Sequence, residues 1–222
     1  MKSSKENFQK VHIVIIGSGI IGKFNALELS ELDFKITIID PAQYKNSSNA
    51  ALGLLMGNMY QKRRGRSWDL RKQSIELWPK WIKFLQKFNY ELNIEKPLIQ
   101  LTTNEEKFKK LEKFIYANND LNLQILQGDS IFIKNINKAF QTENIKGMIS
   151  LKDGRINATL LLKTLDKYLK YKKINFVTEE IIKIRKSNNQ WIAKSIKNIE
   201  IKSDMIILCN SLNTIDFKDC IS

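Results

Sequence analysis

The sequence predicts an α/β protein built around a parallel sheet. Two observations lead to this prediction. Within residues 11–40, an apolar strand, a glycine-rich turn, an amphipathic helix and a second apolar strand follow one another, which is the order of a strand–helix–strand unit with parallel strands. Further helix and strand patterns alternate up to about residue 209 without a repeat or a low-complexity linker. Two domains, if present, are therefore expected to be interleaved along the chain.

The first strand, residues 11–16, reads Val-His-Ile-Val-Ile-Ile. A continuous apolar run of this length is typical of a strand that is buried on both faces of a sheet. His12 is the single histidine of the chain, and inside such a strand we expect it to be packed rather than catalytic. This leaves no Ser-His-Asp or Cys-His system for nucleophilic catalysis.

The turn after this strand has glycines at the G-x-G-x-x-G spacing, followed directly by a helix. This context is typical of dinucleotide binding. Gly17 is expected to adopt a backbone angle closed to other residues, Gly19 to let a pyrophosphate approach the main chain, and Gly22 to let the helix pack closely on the strand. The helix N-terminus favours the phosphate charge. The predicted phosphate site comprises Gly17, Ser18, Gly19, Ile20, Ile21 and Gly22.

Asp40 follows the second strand, residues 35–39, and lies 18 residues after Gly22. An acid about 20 residues past the glycines binds the ribose hydroxyls in dinucleotide sites, so the unit as a whole predicts a Rossmann-like domain. A carboxylate there disfavours a 2′-phosphate, which favours FAD or NAD over NADP, although Lys45 on the following loop weakens this preference. The alternative is that Asp40 merely ends a strand before Pro41.

Composition limits the class of protein. The 222 residues suit one large domain or two small ones, and a hydrophobic fraction of 43% is enough for a core. The apolar run 11–16 is far shorter than the roughly 20 residues that a membrane helix needs, and no signal peptide precedes it. Cys209 and Cys220 have neither a metal-ligand spacing nor a disulfide framework around them. We expect a cytoplasmic protein without a metal site.

The net charge of +14 and the basic run 62–66 raise the alternative of nucleic-acid binding. Lysine is, however, spread along the whole chain and mixed with isoleucine and asparagine, which is typical of a solvated basic surface. Basic and aromatic residues do not interleave in the way of a stacking platform. Nucleic acid is therefore not expected as a partner, and the arginines of the run could instead meet an acidic partner or a flavin phosphate.

In the rest of the sequence, stretches with the apolar spacing of a helix alternate with stretches typical of strands. An amphipathic helix is predicted from Trp68 to Phe88, with Pro79 kinking or splitting it, and a second from 104 to 118. Short strands are predicted between 121 and 149, including one at 131–133. After a turn at 152–155, a helix is predicted over 158–171. The other predicted strands cover residues 96–103, 174–177, 181–184, 191–196 and 205–209.

From residue 11 to residue 214, the chain resembles the glycine-oxidase and D-amino-acid-oxidase (DAO) family of FAD-dependent amine oxidoreductases. Four patches carry the resemblance: the dinucleotide unit, the small-residue loop 48–55, the helix residues Ser74 and Trp78 with the turn 152–158, and residues 180–184 together with 204–211. The chain departs from the family pattern at three positions. Asp33 and Ser211 stand where glycines are expected, and Ala158 stands where proline is usual.

The resemblance implies FAD as the cofactor and a Rossmann-like FAD-binding domain with a central parallel sheet, helices and a small antiparallel crossover sheet. It places residues 1–90 and 150–222 in the FAD-binding domain and 91–149 in an interleaved, incomplete substrate domain. In this family, the small-residue loop lies against the pyrophosphate and isoalloxazine, and a hydrophobic residue presents its backbone to the adenine. The implied contacts are Ser48, Asn49, Ala50, Ala51, Gly53 and Leu54 for the loop and Ile181 for the adenine.

Members of this family oxidise a C–N bond of an amino acid or related amine by hydride transfer to the flavin. The family's substrate-carboxylate arginine and closing glycine-rich segment have no counterpart within residues 1–222. We therefore expect the N-terminal portion of such an enzyme, inactive alone and without an assigned catalytic residue. The alternative is a non-catalytic remnant or nucleotide-binding module. The expected partners are a small-molecule amine substrate and either a second copy of the chain or a complementing C-terminal half, but no membrane.

Overall fold

The structure is a computed structural model that describes residues 10–42, 47–128, 131–140 and 144–211. Its strands are, in chain order, β1 (His12–Ile16), β2 (Lys35–Ile39), β3 (Leu54–Leu55), β4 (Ile94–Glu95), β5 (Leu98–Thr102), β6 (Leu123–Leu126), β7 (Lys146–Ser150), β8 (Gly154–Ile156), β9 (Asn175–Val177), β10 (Ile181–Ser187), β11 (Gln190–Ser195), β12 (Glu200–Ser203) and β13 (Met205–Leu208). Its helices are α1 (Ile20–Leu29), α2 (Arg66–Leu85), α3 (Glu105–Tyr116), α4 (Ile131–Phe140) and α5 (Ala158–Tyr171). Within these ranges, no helix combines the length and the apolar character that crossing a membrane requires.

The chain divides into two compact units. The first unit consists of Met1–Ala51 and Ala158–Ser222, and the second of Leu52–Asn157. The first unit is thus formed by two stretches of chain, and the residues of the second unit come between these stretches in the sequence. The predicted functional division into residues 1–90, 91–149 and 150–222 places its boundaries elsewhere and stays a prediction.

The first unit contains a parallel sheet in the order β13-β1-β2-β9. Strand β1 pairs in parallel with both β13 and β2, and four of its five residues are buried. An apolar run with no polar alternation fits this central position because both faces of the strand are covered. The prediction of an α/β fold with a parallel central sheet is confirmed.

A three-stranded antiparallel sheet, β10-β11-β12, completes the strands of the first unit. Its inner residues share a core with the parallel sheet, and the buried members of that core are Val14, Ile16, Ile39, Ile181, Ile184 and Ala193. Strand β12 was not predicted, because its sequence Glu-Ile-Lys-Ser is mostly polar. It forms by backbone pairing with β11 at the edge of the sheet, and of its four residues only Ser203 is buried.

Helices α1 and α5 lie together in the first unit. The Tyr168 hydroxyl donates to Glu31 Oε1 at 2.6 Å and lies 2.7 Å from Ser30 Oγ. Lys23 is only 7% exposed, and its ammonium group pairs with Asp166. Buried charged groups in proteins are normally paired with an opposite charge. The Lys23 charge is therefore committed to joining the two helices.

The second unit contains two three-stranded antiparallel sheets, in the orders β3-β8-β4 and β5-β7-β6. Helix α3 begins where Asn104 accepts a hydrogen bond from the Lys107 amide at 2.9 Å, a side-chain N-cap. Its apolar face packs on the second of these sheets. The buried residues of that core are Met59, Leu111, Ile115 and Met148.

One local prediction was wrong. Residues 131–133, predicted as a strand, begin helix α4, because apolar residues recur at 133, 136, 139 and 140 with helical spacing. Pro79 was predicted to kink or split its helix, and of these two alternatives the split does not occur, because α2 runs through Pro79 over 20 residues. Asp33, which stands where the family pattern has glycine, is not among the residues with positive φ. Its carboxylate pairs with Lys10.

Candidate functional site

The glycine turn lies between β1 and α1, at the carboxyl end of the parallel sheet. Gly17 has φ +105°, and a Cβ there would lie 2.5 Å from the Cys209 carbonyl oxygen. Its amide donates to the Ile39 carbonyl at 2.8 Å. Backbone angle and packing therefore both require glycine at position 17, and both requirements come from the neighbouring strands.

The other two glycines of the motif differ from each other. A Cβ on Gly22 would lie 1.9 Å from the Gly17 carbonyl oxygen, so the first turn of α1 sits directly on the glycine turn. A Cβ on Gly19 would meet only Ser48 Oγ, at 3.1 Å. Gly19 has φ −66°, which any residue can adopt. A clash with the protein's own backbone thus explains why position 22 is glycine, whereas neither a backbone clash nor the backbone angle explains glycine at position 19.

The helix N-terminus presents its amides beside Gly19. The first intrahelical bond runs from the Lys23 amide to the Gly19 carbonyl at 3.0 Å, so the amides of Ile20, Ile21 and Gly22 precede it. The Ile20 amide donates to Ser48 Oγ at 2.9 Å. The first turn of α1 carries no acidic residue, and its N-cap makes no side-chain bond. This end of the helix is suited to an anion.

Asp40 lies next to this turn. One carboxylate oxygen accepts the Ser18 amide at 2.7 Å, and the other accepts the Ala42 amide at 2.8 Å. The Asp40 amide donates to the Val177 carbonyl at 3.1 Å, which places the residue at the carboxyl ends of β1, β2 and β9. Each carboxylate oxygen retains a further lone pair. Asp40 therefore shapes the turn and can still accept from a hydroxyl group.

Of the predicted small-residue loop, Ser48 reaches the turn through its bond to Ile20. Asn49, Ala50 and Ala51 are exposed. Lys45, which weakened the preference against NADP, lies outside the described residues, as does Cys220. The structure thus brings together the turn, Asp40 and Ser48 in the first unit.

Gly53 and Leu54, also predicted as contacts, belong to the second unit. Gly53 has φ +71°, a Cβ there would lie 1.9 Å from the Ile156 carbonyl oxygen, and its own carbonyl accepts the Ile156 amide at 2.9 Å. Leu54 pairs with Arg155 across β3 and β8, and its side chain is 47% exposed. Strand pairing inside this unit accounts for glycine at position 53.

Ile181 begins β10, and its side chain is buried in the core of the first unit. The backbone register with β11 shifts between Ile181 and Lys183, as in a β-bulge. The side chain is therefore committed to packing, and any role toward a ligand would belong to the main chain of this residue.

Charged residues that were not predicted hold the segment 56–59 in the second unit. Asp153, 3% exposed, accepts the amides of Gly57 and Asn58 at 2.9 Å and that of Met59 at 2.7 Å. On the carbonyl side, Arg63 donates to Gly57 and Arg71 to Met56, each at 3.2 Å. The sequence signals only a turn at 152–155, because the partners of Asp153 lie more than 90 residues away along the chain.

The two arginines also stack on aromatic rings. The Arg71 guanidinium lies 3.9 Å from the Tyr60 ring centroid, and that of Arg63 lies 4.2 Å from the Trp68 centroid. The two rings are stacked on each other with 6.1 Å between centroids. Arg63 comes from the basic run 62–66, so part of that run is engaged in holding its own unit.

Strand β13 closes the first unit beside the glycine turn. The Cys209 amide donates to the Ile16 carbonyl at 2.7 Å, and burial raises the pKa of the Cys209 thiol. A raised pKa keeps this sulfur in its unreactive thiol form. Ser211, two residues further, has φ +57°. The residue that stands in place of an expected glycine thus adopts a glycine-like backbone.

Residues 12–218 match the family described as DAO, FAD dependent oxidoreductase. No curated protein matches the chain. The fold resembles three solved structures in particular: glycine oxidase from Geobacillus kaustophilus (TM-score 0.76, 18% identity, 96% of this chain and 59% of that chain), glycine oxidase from Bacillus cereus ATCC 14579 (0.72, 20%, 90% and 55%) and iminodiacetate oxidase from Chelativorans sp. BNC1 (0.71, 16%, 88% and 54%).

These likenesses establish the fold, and the chain spans less than two thirds of the length of each of the three proteins. The family match is of a different kind, because it extends over nearly all of the 222 residues. The chain belongs to the DAO family of FAD dependent oxidoreductases.

Proposed function

We propose that this chain binds FAD through its glycine turn and Asp40, as the nucleotide-binding portion of an oxidoreductase that acts on the C–N bond of an amino acid or related amine. One observation carries the proposal. A Cβ on Gly19, at the N-terminus of α1, would meet no backbone atom and only the Ser48 hydroxyl, at 3.1 Å, and the Asp40 carboxylate is held beside this turn by the Ser18 amide. Ligands of parallel sheets bind at this carboxyl edge.

The residues present fit a dinucleotide. The missing side chain of Gly19 would let a phosphate oxygen approach the main chain where Ser48 Oγ now lies, and Ser48 Oγ already accepts from the Ile20 amide as a neutral oxygen. Replacing that hydroxyl contact by a charged oxygen would strengthen the bond to the amide. Asp40 is proposed to accept from the ribose hydroxyls, which favours FAD or NAD over a 2′-phosphorylated nucleotide.

The other proposed cofactor contacts rest on the family resemblance. Ser18, Ile20, Ile21 and Gly22 contribute backbone, and Asn49, Ala50 and Ala51 are exposed and small enough for close approach. Gly53 and Leu54 of the second unit and the main chain of Ile181 complete the proposed set. FAD, when bound, supplies the redox ring that accepts a hydride. The role proposed for this chain's residues is to bind and orient that cofactor.

The substrate class is proposed from the relatives. Two are named as glycine oxidases and one as an iminodiacetate oxidase. Glycine and iminodiacetate are both amines that carry carboxylates. We assign no catalytic residue within the described ranges, so the function proposed for the chain itself is cofactor binding. A nucleotide-binding module without turnover is the second candidate, favoured by the side chain at Ser211 where the family pattern has glycine.

Titration of the purified chain with FAD, followed by flavin and tryptophan fluorescence, tests the proposal. Gly19→Ala is expected to weaken FAD binding at least tenfold, about 1.4 kcal/mol, while its urea midpoint stays close to that of the parent chain. The new methyl group meets only the Ser48 hydroxyl, so the fold can accommodate it.

Gly22→Ala is the contrasting variant, because its Cβ would collide with the Gly17 carbonyl. It is expected to lower the urea midpoint as well as FAD binding. FAD binding by Gly19→Ala equal to that of the parent chain, or no FAD uptake by the parent chain, would contradict the proposal. Addition of an amine substrate to the loaded chain together with the C-terminal half of the family fold separates the two candidates, since only the first predicts flavin reduction in that mixture.

A further inference from the structure

Strand β13 lies at one edge of the parallel sheet in the first unit. It pairs with β1 on one side, and no described strand pairs with its other side. Its sequence is Met-Ile-Ile-Leu, an uninterrupted apolar run. Such a run is typical of a strand inside a parallel sheet, which is the position that β1 has. Strand β13 therefore has the sequence of a central strand in an edge position.

The other three strand edges of the first unit are protected against further pairing. Strand β9 is only three residues long. Strand β10 has a register shift near its start and carries exposed Lys183 and Arg185, and β12 carries exposed Glu200 and Lys202. Short length, bulges and charged side chains are usual means of preventing a strand from adding to a sheet edge. Strand β13 carries no charge and pairs with β1 in a regular register.

The face of the sheet is also open where β13 begins. Met205 pairs with Ile13 in register, so the two side chains lie on the same face of the sheet. Ile13 is 2% exposed, whereas Met205 is 49% exposed. The apolar surface of this face thus continues beyond its covered part. At its first residue, β13 is open on one face as well as along its edge.

The length of the relatives indicates what could occupy this edge. The chain covers 59% and 55% of the two glycine oxidases, so a large part of each has no counterpart here. A second copy of the chain is a less suitable neighbour. Each copy carries a net charge of +14, and edge-to-edge pairing would bring the two like charges together.

We propose that a separate polypeptide adds a strand to the open edge of β13, and that this polypeptide supplies the part of the DAO family fold that has no counterpart in the described residues. Its strand presents apolar side chains to the face on which Met205 lies. Pairing along a sheet edge is made by main-chain hydrogen bonds, so it tolerates differences in sequence between partners. The interaction depends on the family fold and not on the proposed FAD site.

Co-expression with the portion of Geobacillus kaustophilus glycine oxidase that lies outside the match tests this proposal. The corresponding portion of the Bacillus cereus enzyme is the second probe. Size-exclusion chromatography with light scattering, without FAD, is expected to show a complex with one copy of each chain. Because FAD is left out, failure of FAD binding and failure of this association are distinguishable.

Ile206→Pro is the variant that closes the edge. The Cys209 amide donates to the Ile16 carbonyl, and in the observed register the alternation of a parallel ladder directs the Ile207 amide to β1 as well. The Ile206 amide then points to the open edge. Proline at this position removes a donor from the open edge without removing a bond to β1, and it is expected to weaken association about tenfold or more.

Phe176→Pro is the matched control on the opposite edge of the same sheet. The Asp40 amide donates to the Val177 carbonyl, so the Phe176 amide points away from β2 by the same alternation. Phe176 is 43% exposed. Phe176→Pro is expected to associate with both probes as the parent chain does.

Hydrogen exchange of the chain alone gives a test that needs no partner and decides the question if Ile206→Pro does not fold. The Ile206 amide is expected to exchange about tenfold faster than the Ile207 amide, and to become protected in the complex. Equal protection of the two amides in the chain alone would overturn the proposal, because the edge would already be covered. Failure of both probes to associate would also overturn it, as would a homodimer that Ile206→Pro dissociates.

Discussion

Asp153 is the buried charge whose removal should matter most to the second unit. Its carboxylate accepts the amides of Gly57, Asn58 and Met59, and the residue is 3% exposed. Asp153→Ala leaves three amides without an acceptor, and each unsatisfied group costs about 1–3 kcal/mol. Water can reach the half-buried Asn58, which reduces the sum. We expect a loss of about 3–5 kcal/mol, a large part of a typical stability of about 5–15 kcal/mol.

Urea unfolding followed by tryptophan fluorescence measures this loss. Three of the four tryptophans, Trp68, Trp78 and Trp81, lie in α2 of the second unit, so a Trp191→Phe background confines the signal to that unit. Asp153→Asn keeps one acceptor oxygen and is expected to lose about half as much free energy.

Asp120→Ala, an exposed site in the same unit, is the matched control and is expected to change stability by less than about 0.5 kcal/mol. Hydrogen exchange at residues 57–59 adds an independent readout, with faster exchange expected in Asp153→Ala alone. A destabilisation no larger than that of the control would refute the assignment of Asp153 as the anchor of this segment.

Two further predictions concern the first unit. Because burial and the nearby Lys35 ammonium lower the folded-state pKa of His12 below its ordinary 6.5, the unfolded chain takes up the proton first. Stability should therefore fall as the pH drops through about 6.5 toward the lower folded-state pKa, and His12→Gln should flatten this change in urea unfolding between pH 5.5 and 7.5. Ser211 has a left-handed backbone conformation, which costs a residue with a side chain about 1–2 kcal/mol. Ser211→Gly removes this cost, and the added conformational entropy of the unfolded chain offsets the gain by about 0.4–1 kcal/mol. A net gain of up to about 1.6 kcal/mol is expected from these two figures, with Ser211→Ala showing none.

The local sequence pattern was enough to predict several helices and strands of the first unit. Helix α5 begins and ends where the leucine spacing over 158–171 predicts, because its apolar stripe depends only on residues three and four apart. Strands β1 and β2 were predictable for a similar reason, since a strand covered on both faces needs an uninterrupted apolar run. The pairing of β1 with β13, 192 residues apart in the register Ile13 to Met205, was not predicted, because no local pattern relates the two strands.

Contacts between distant residues were not predictable in this way. No local pattern relates Asp153 to the amides of 57–59. The basic run 62–66 illustrates the same limit. As a sequence it indicates a charged surface, whereas in the structure Arg63 stacks on Trp68 and donates to the Gly57 carbonyl. Charge along a sequence indicates a partner only after the contacts within the fold have been accounted for.

The glycine motif itself combines two different requirements. Gly17 and Gly22 are needed because a Cβ would lie 2.5 Å from the Cys209 carbonyl or 1.9 Å from the Gly17 carbonyl, so a protein of this fold would retain them even without a ligand. Gly19 has an ordinary backbone angle, and a Cβ there would meet only a hydroxyl. A chain that had lost its nucleotide could replace Gly19 with only a small shift of the Ser48 hydroxyl. Glycine at this position is therefore the residue of the motif that argues for a ligand, while the other two argue for the fold.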